Sequence, residues 1–437
     1  MGQARVDVEL TARTDQSGSA EVDAAVTESV TPGVWFAAPQ EEGGGAREPS
    51  QVWELSGRPY EGKVATGTAH VYLGEGNSAL TRPFLFADGF NYGPSDLPGV
   101  FNHFNVPYGA NDDRFLDQLL AAGIDVVLLG FTERHTYIQA NAEVAISAIQ
   151  HAIAERQGDH PLTVGGVSMG GVVTRFALAK LEHEGVDHET ATYVSYDSPH
   201  NGAWIPLILQ QLAYFFENLP GQPADEPGQA DLIRSEAAQQ LLWAWVPDAK
   251  YSGPVATSSD LRGTFLDDLA ALGQWPARPR KLGVANGTGD STGRDLPPGE
   301  VAFDWKAGVL ASATARFQPD RGTRQPIGGM NLGFEIRRPE TSDVPALDGA
   351  PGGVLESFGL VADKLGIEIP AEYRGGCFVP TISATAQPYS PTDWELDPYA
   401  PLDPEGSALD EYTTDSQNTA HGVISEPLAR WLLDRLI

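Results

Sequence analysis

Cysteine, lysine and long apolar runs are all scarce in this chain. The single cysteine, Cys377, excludes an intramolecular disulfide and any metal site built on paired thiolates. That suits a reducing compartment, and equally an exported enzyme that does without disulfides. Six lysines and twenty-two arginines face 59 acidic residues, for a formal charge of −31. Phosphate contacts need clustered cations, so nucleic acid is excluded as a partner. The acidic surplus reads as a solvated, self-repelling surface that favours solubility, with adaptation to salt as the second reading. No stretch reaches about 18 apolar residues, so no integral membrane segment is expected. The opening MGQARVDVELTARTDQ lacks the apolar centre of a signal peptide, and localisation, secreted or cytoplasmic, stays open. No internal repeat is visible.

What the chain does have is a regular alternation of strands and helices. With 437 residues it can fill one α/β core with long insertions. Residues 1–50 carry no motif, and EEGGGAREPS (41–50) reads as a linker. Apolar runs at 68–74, 83–90, 124–131, 162–168 and 191–199 read as strands. Between them, 112–123, 141–158 and 170–185 have helical periodicity, the first with Asp112 as its expected cap. This alternation implies βαβ crossovers and a mainly parallel, doubly wound sheet. Such sheets carry their chemistry at the carboxyl ends of the strands.

Three strand ends and one late histidine stand out. LTVGGVSMGG (162–171) holds G-x-S-x-G at a strand-to-helix turn, which would lift the Ser168 hydroxyl out of the backbone. Acyl transfer needs two preorganised N–H donors. One is expected from Met169, next to the serine. The other is expected from Phe90 in FADGFNYGP (86–94), where Gly89 permits a sharp turn. His421, in a small-residue loop before the C-terminal helix, is the candidate base. A carboxylate must fix its tautomer. Asp290, in the Gly-rich loop of KLGVANGTGDSTG (281–293), is preferred, with Asp197 of SYDSPH as its rival. Chain order does not separate the two. His103 and His135 fall near the pocket, and His200 is expected to shape its wall.

These residues resemble the α/β-hydrolases, and among them the bacterial lipases and esterases. The matching pieces are VGGVSMGG, LFADGF, DSPHNGAW and HGVI. One departure is Asp88, which stands where lipases carry histidine before the oxyanion turn. The resemblance covers about 64–205, with 280–295 and 415–437 matched by motif. It implies Ser168 as nucleophile, His421 as base then acid, Asp290 as orienting acid, and an acyl-enzyme route of ester hydrolysis. It implies an α/β-hydrolase fold with an N-terminal extension at 1–63 carrying peripheral strands. The hydrolase domain would span 64–437, with a helical cap or lid at about 203–275 and long loops at about 295–415.

AWIPLILQQLAYFF (203–216) and ADLIRSEAAQQLLWAWVPD (230–248) are dense in large apolar side chains. They are expected to wall a hydrophobic acyl pocket through Trp204, Leu207 and Trp243. The substrate would be a small-molecule or lipid ester, with contact at a lipid surface as a further option. An acyltransferase, or a polyester or phospholipid acyl hydrolase, are the alternatives on the same fold. A non-catalytic binding protein is the remote one. No cofactor is expected. Calcium is the one metal the resemblance raises, near the acidic tract 389–422, but no spacing there matches a recognised calcium loop.

Overall fold

Eight segments of the chain pair into one twisted sheet in the computed structural model, which describes residues 9–14, 20–25, 47–217, 228–248, 256–309, 311–388 and 397–437. They are Gln51–Ser56 (β1), Thr66–Tyr72 (β2), Pro83–Ala87 (β3), Asp125–Phe131 (β4), Leu162–Val167 (β5), Thr190–Tyr196 (β6), Arg280–Thr288 (β7) and Glu411–Asp415 (β8). The spatial order is β8-β7-β6-β5-β3-β4-β2-β1. Every adjacent pair is parallel except β1 with β2 and β2 with β4. The strands expected from the sequence are present with ends shifted by a few residues. The sheet begins at Gln51, upstream of the boundary expected at residue 64. A separate antiparallel pair, Glu9–Thr14 with Ala20–Ala25, precedes it.

Period-two side chains explain the three layers. Ala69, Val71, Leu85, Val127, Leu129 and Val164 point to one face of the sheet, where Ile138–Glu155 and Met169–His183 pack. Tyr72, Phe84, Phe86, Val126, Leu128 and Tyr196 point to the other, against Leu97–Phe104, Phe115–Ala121 and Glu426–Leu436. In chain order the helices are α1 (Leu97–Phe104), α2 (Phe115–Ala121), α3 (Ile138–Glu155), α4 (Met169–His183), α5 (Leu207–Glu217), α6 (Gln229–Arg234), α7 (Glu236–Leu241), α8 (Asp260–Ala271), α9 (Ser357–Lys364), α10 (Thr381–Ala384) and α11 (Glu426–Leu436). Helix α2 is capped at Arg114 rather than at Asp112, which instead takes a left-handed backbone with φ 54°.

The region 295–415 is not the run of long loops expected. It contains a four-stranded antiparallel sheet (Val301–Ala307, Ala311–Arg316, Gly328–Leu332, Glu335–Arg337) and the antiparallel pair Gly352–Leu355 with Gly376–Pro380. Helices α5 to α8 lie in the segment read as a cap or lid, and α5 packs its apolar side against that sheet. Trp204, Leu207, Ile208, Trp243, Ala313, Met330 and Phe358 belong to a single buried cluster. No helix among the described residues is long and apolar enough to cross a membrane.

Candidate active site

Ser168 stands alone between β5 and α4, with φ 53° and ψ −128°. A residue in such a region costs roughly 1–3 kcal/mol, and persists only where its surroundings dictate it. Two glycines supply those surroundings. A Cβ on Gly166 would collide with the backbone of Gly170, and one on Gly170 with the carbonyl oxygens of Ala87 and Asp88. The G-x-S-x-G spacing is therefore a packing requirement of a turn squeezed against β3. The Ser168 N–H donates to Tyr196 O at 2.9 Å, tying the turn to the end of β6. Ser168 lines a cavity of about 40 Å³ walled by Phe90, Val100, Phe104, Phe378 and His421.

His421 is brought to that cavity by the loop before α11. Its N–H donates to Val354 O, while Val354 N–H donates to Thr419 O, so the loop is stitched to the strand Gly352–Leu355. The Phe378 ring lies edge-on to the imidazole, centroids 4.9 Å apart. On the next residue, the Gly422 N–H donates to Asn286 Oδ1, and Gly422 O meets His103 Nε2 at 2.8 Å. His421 Nδ1 donates to Asp197 Oδ2 at 2.7 Å. Both side chains are almost wholly buried. Because a carboxylate only accepts, the proton of this bond sits on Nδ1, and His421 Nε2 is buried with no hydrogen-bond partner among the described residues.

The carboxylate that meets His421 is thus Asp197, not the preferred Asp290. Asp197 ends β6 with φ 47°, a left-handed conformation that aspartate tolerates better than most residues. Its Oδ1 accepts the Asn286 N–H at 3.0 Å from the neighbouring strand β7. Gly353 lies against it, since a Cβ there would collide with Asp197 Oδ2. Asp290 instead curls on itself in an exposed turn, where its Oδ1 accepts the Thr292 N–H at 2.9 Å. That hydrogen bond holds its carboxyl below the usual range. It lines a separate, open depression of about 380 Å³ with Thr288, Arg294 and Glu372.

The expected acyl wall is also displaced. Trp204, Leu207 and Trp243 are at most 1% exposed, inside the core of the insert, and none lines the Ser168 cavity. Trp204 Nε1 donates to the buried carboxylate of Asp348 at 2.7 Å. Phe90, Phe104 and Phe378 provide the apolar wall instead. His200 is not part of it. It is buried beside Trp275, with Nε2 2.8 Å from Ser195 Oγ, and burial pushes its imidazole well below the ordinary value. His103 does line the cavity. His135 sits one step behind it and accepts the Gly93 N–H at 3.3 Å.

The loop after β3 passes close over the serine. A Cβ on Gly89 would stand 3.1 Å from Ser168 Cβ, closer than ordinary contact, which explains glycine there. Asp88 Oδ1 takes the Gly89 N–H at 2.7 Å, and the next N–H, that of Phe90, makes no hydrogen bond among the described residues. Met169 begins α4, so its N–H has no acceptor within the helix. Sequence reading missed Arg134, Asn286, Val354 and Phe378. Only Asn286, at the end of the LGVAN strand, left a signal that strand-end logic could have used. Among the described residues no group of three or more His, Cys, Asp or Glu side chains is arranged to hold a metal ion. The first eight residues of the acidic tract, 389–396, lie outside the described residues.

The sheet order and the strand-to-helix serine turn fit the α/β-hydrolase architecture. No family model matches the chain, and no curated protein matches it. Among solved structures it is similar to the esterase Est22, at 14% identity and a TM-score of 0.27 over 37% of this chain and 47% of that one. It is also similar to Est1E from Butyrivibrio proteoclasticus (13% identity, TM-score 0.24, 41% and 61% of the two chains). A third likeness is to the Bacillus licheniformis lipase BlEst2 in its propeptide form (15% identity, TM-score 0.31, 58% and 42%). The chain spans about half the length of Est22.

Proposed function

We propose that the protein is a serine hydrolase of carboxylic esters. The observation that carries this reading is the Asp197–His421 hydrogen bond, with Ser168 and the His421 ring, whose Nε2 has no partner among the described residues, lining one cavity. Ser168 Oγ would attack the ester carbonyl while its proton passes to His421 Nε2. Asp197 would hold the ring and offset its charge. The oxyanion would be met by the N–H groups of Phe90 and Met169. The protonated imidazole would then pass its proton to the leaving alkoxide, and water would release the acyl group by the reverse sequence.

The cavity volume narrows the substrate. A water needs about 10–15 Å³ of such space, so about 40 Å³ corresponds to about three water-sized groups, the size of a short acyl group. We read the substrate as an ester with a small apolar acyl part against Phe90, Phe104 and Phe378. The helical insert over 203–275 is read as a fixed cap, because the inner side of α5 is core.

A fluorophosphonate probe tests the reading. The wild-type protein is expected to be labelled and to turn over p-nitrophenyl acetate. No labelling, or labelling that survives Ser168→Ala, would remove it. Transfer of the acyl group to an added alcohol in preference to water would replace hydrolysis by acyl transfer.

A further inference from the structure

A buried ion pair stands where the resemblance expects a histidine-based turn. Asp88 and Arg134 are 3% and 6% exposed, and Arg134 Nη1 lies 3.3 Å from Asp88 Oδ2. The same guanidinium donates through Nε to Gly93 O at 3.3 Å and through Nη2 to Tyr92 O at 3.1 Å. Its backbone N–H also reaches Gly93 O. One side chain from the segment after β4 therefore grips both ends of the loop 88–93. Asp88 is anchored a third way, by its N–H to Leu129 O at 2.9 Å. Behind the loop, the Tyr92 ring stacks on His135 with centroids 4.4 Å apart.

The position of this grip gives it a consequence for chemistry. Gly89 packs on Ser168, and Asp88 consumes the Gly89 N–H, so the next donor along the loop is Phe90. Any slide of the loop moves Phe90 N–H relative to the Ser168 hydroxyl. Burial lowers the Arg134 guanidinium pKa, and Asp88 opposes that shift. A buried pair is a poor source of net stability, because desolvation offsets much of its attraction. The guanidinium's separate donors, one to Asp88 and two to the Tyr92 and Gly93 carbonyls, are, however, well suited to fixing position.

We propose that the Arg134–Asp88 pair is a positioning clamp that sets the oxyanion donor of Phe90 against Ser168. The inference rests on the hydrolase reading of Ser168. Arg134 acts through the loop and is not itself a reacting group.

The test compares wild type with Arg134→Lys, Asp88→Asn and the double variant Asp88→Asn/Arg134→Lys, using p-nitrophenyl acetate and an alkyl trifluoromethyl ketone. With the ketone, Ser168 Oγ adds to the carbonyl carbon, its proton moves to His421 Nε2, and the oxyanion of the hemiketal falls to the donors. Displacing those donors by a fraction of an ångström is expected to lower kcat about 10- to 100-fold with KM changed little. Ketone affinity should fall in parallel, as for any transition-state mimic. The double variant should lose no more than the larger single one, because the two residues act as one unit. If kcat and ketone affinity stay at wild-type levels in soluble, folded Arg134→Lys and Asp88→Asn, the clamp is overturned. Equal losses in KM and thermal stability with unchanged ketone affinity would mark a merely structural pair and overturn it too. If the wild-type protein itself neither turns over the ester nor binds the ketone, the hydrolase reading fails first and the clamp falls with it.

Discussion

His421 Nδ1 and Asp197 Oδ2 lie 2.7 Å apart across 224 residues of sequence. The donor comes from a loop near the C-terminus and the acceptor from the end of β6. The pair shows which of the two carboxylates left open by chain order meets His421. Asp197→Asn is expected to lower kcat by about 10⁴-fold, because the amide favours the wrong tautomer of the histidine. Asp290→Asn, in an exposed turn, is expected to stay within about twofold of wild type. Ester turnover by the two variants, measured side by side, checks the assignment. Collapse of Asp290→Asn with a healthy Asp197→Asn would reverse it.

Gly353 offers a second route to the same carboxylate. Its backbone φ is ordinary, so Gly353→Ala meets no conformational penalty of its own. The added methyl collides with Asp197 Oδ2 and must push it from His421. A loss of about 10- to 1,000-fold in kcat/KM is expected, with a stability cost of about 1–3 kcal/mol from overpacking. Chemical denaturation and ester turnover on the same preparation separate the two effects. An unchanged kcat/KM would mean that the Asp197–His421 contact is not needed.

Acyl-chain preference follows from the aromatic walls. Rates on p-nitrophenyl esters are expected to fall steeply from acetate to octanoate. Phe104→Ala should shift the optimum toward longer chains by removing one wall. A wild-type optimum at octanoate would show that the cavity widens on binding and that its resting volume does not set specificity.

Asp348 links stability to pH. Burial raises its carboxyl to about 6 from 3.8, despite the hydrogen bonds from Trp204 Nε1 and the Gln318 N–H. The folded state therefore holds this proton more tightly than the unfolded chain. Its contribution is greatest at or below about pH 4 and is lost as pH rises through about 6, a change of up to about 3 kcal/mol. The difference in Tm between wild type and Asp348→Asn, followed from pH 4 to 7, should move in favour of the variant as pH rises. A difference that is flat with pH would show that Asp348 does not titrate in this window.

The sequence made the parts of the sheet legible because each strand is an apolar run closed by glycine or polar residues, and each helix repeats its apolar side chains every three or four positions. Ser168 was legible for the same reason: its motif sat at a strand-to-helix junction. The acid was not. Asp197 and Asp290 both follow strands in loops of small residues, and which of them meets His421 depends on where the histidine loop docks. That docking is decided by Val354 and Asn286, remote in sequence and without a local signature. The apolar density of 203–216 reads as the wall of an acyl pocket, whereas the structure buries it in a core of its own. Trp204 and Leu207 face strands such as ASATAR (311–316), whose small and polar residues give a weak strand signal. Arg134 had no motif at all, since a single arginine after a strand is unremarkable until the fold sets it beside Asp88.

The stitching of His421 to Val354, with Phe378 against its ring, has an evolutionary and engineering meaning. A domain inserted between two strands can usually be trimmed back to the parent sheet. Here Val354 and Phe378, from the segment between β7 and β8, hold the imidazole together with Asp197 and Asn286 of the sheet, so the sheet alone supplies only part of its seat. On the proposed function, segment 295–388 and the Ser168 site form one inheritable unit: deleting 295–388 would remove part of the seat of His421, and grafting only 415–437 onto a hydrolase would transfer a histidine without its address.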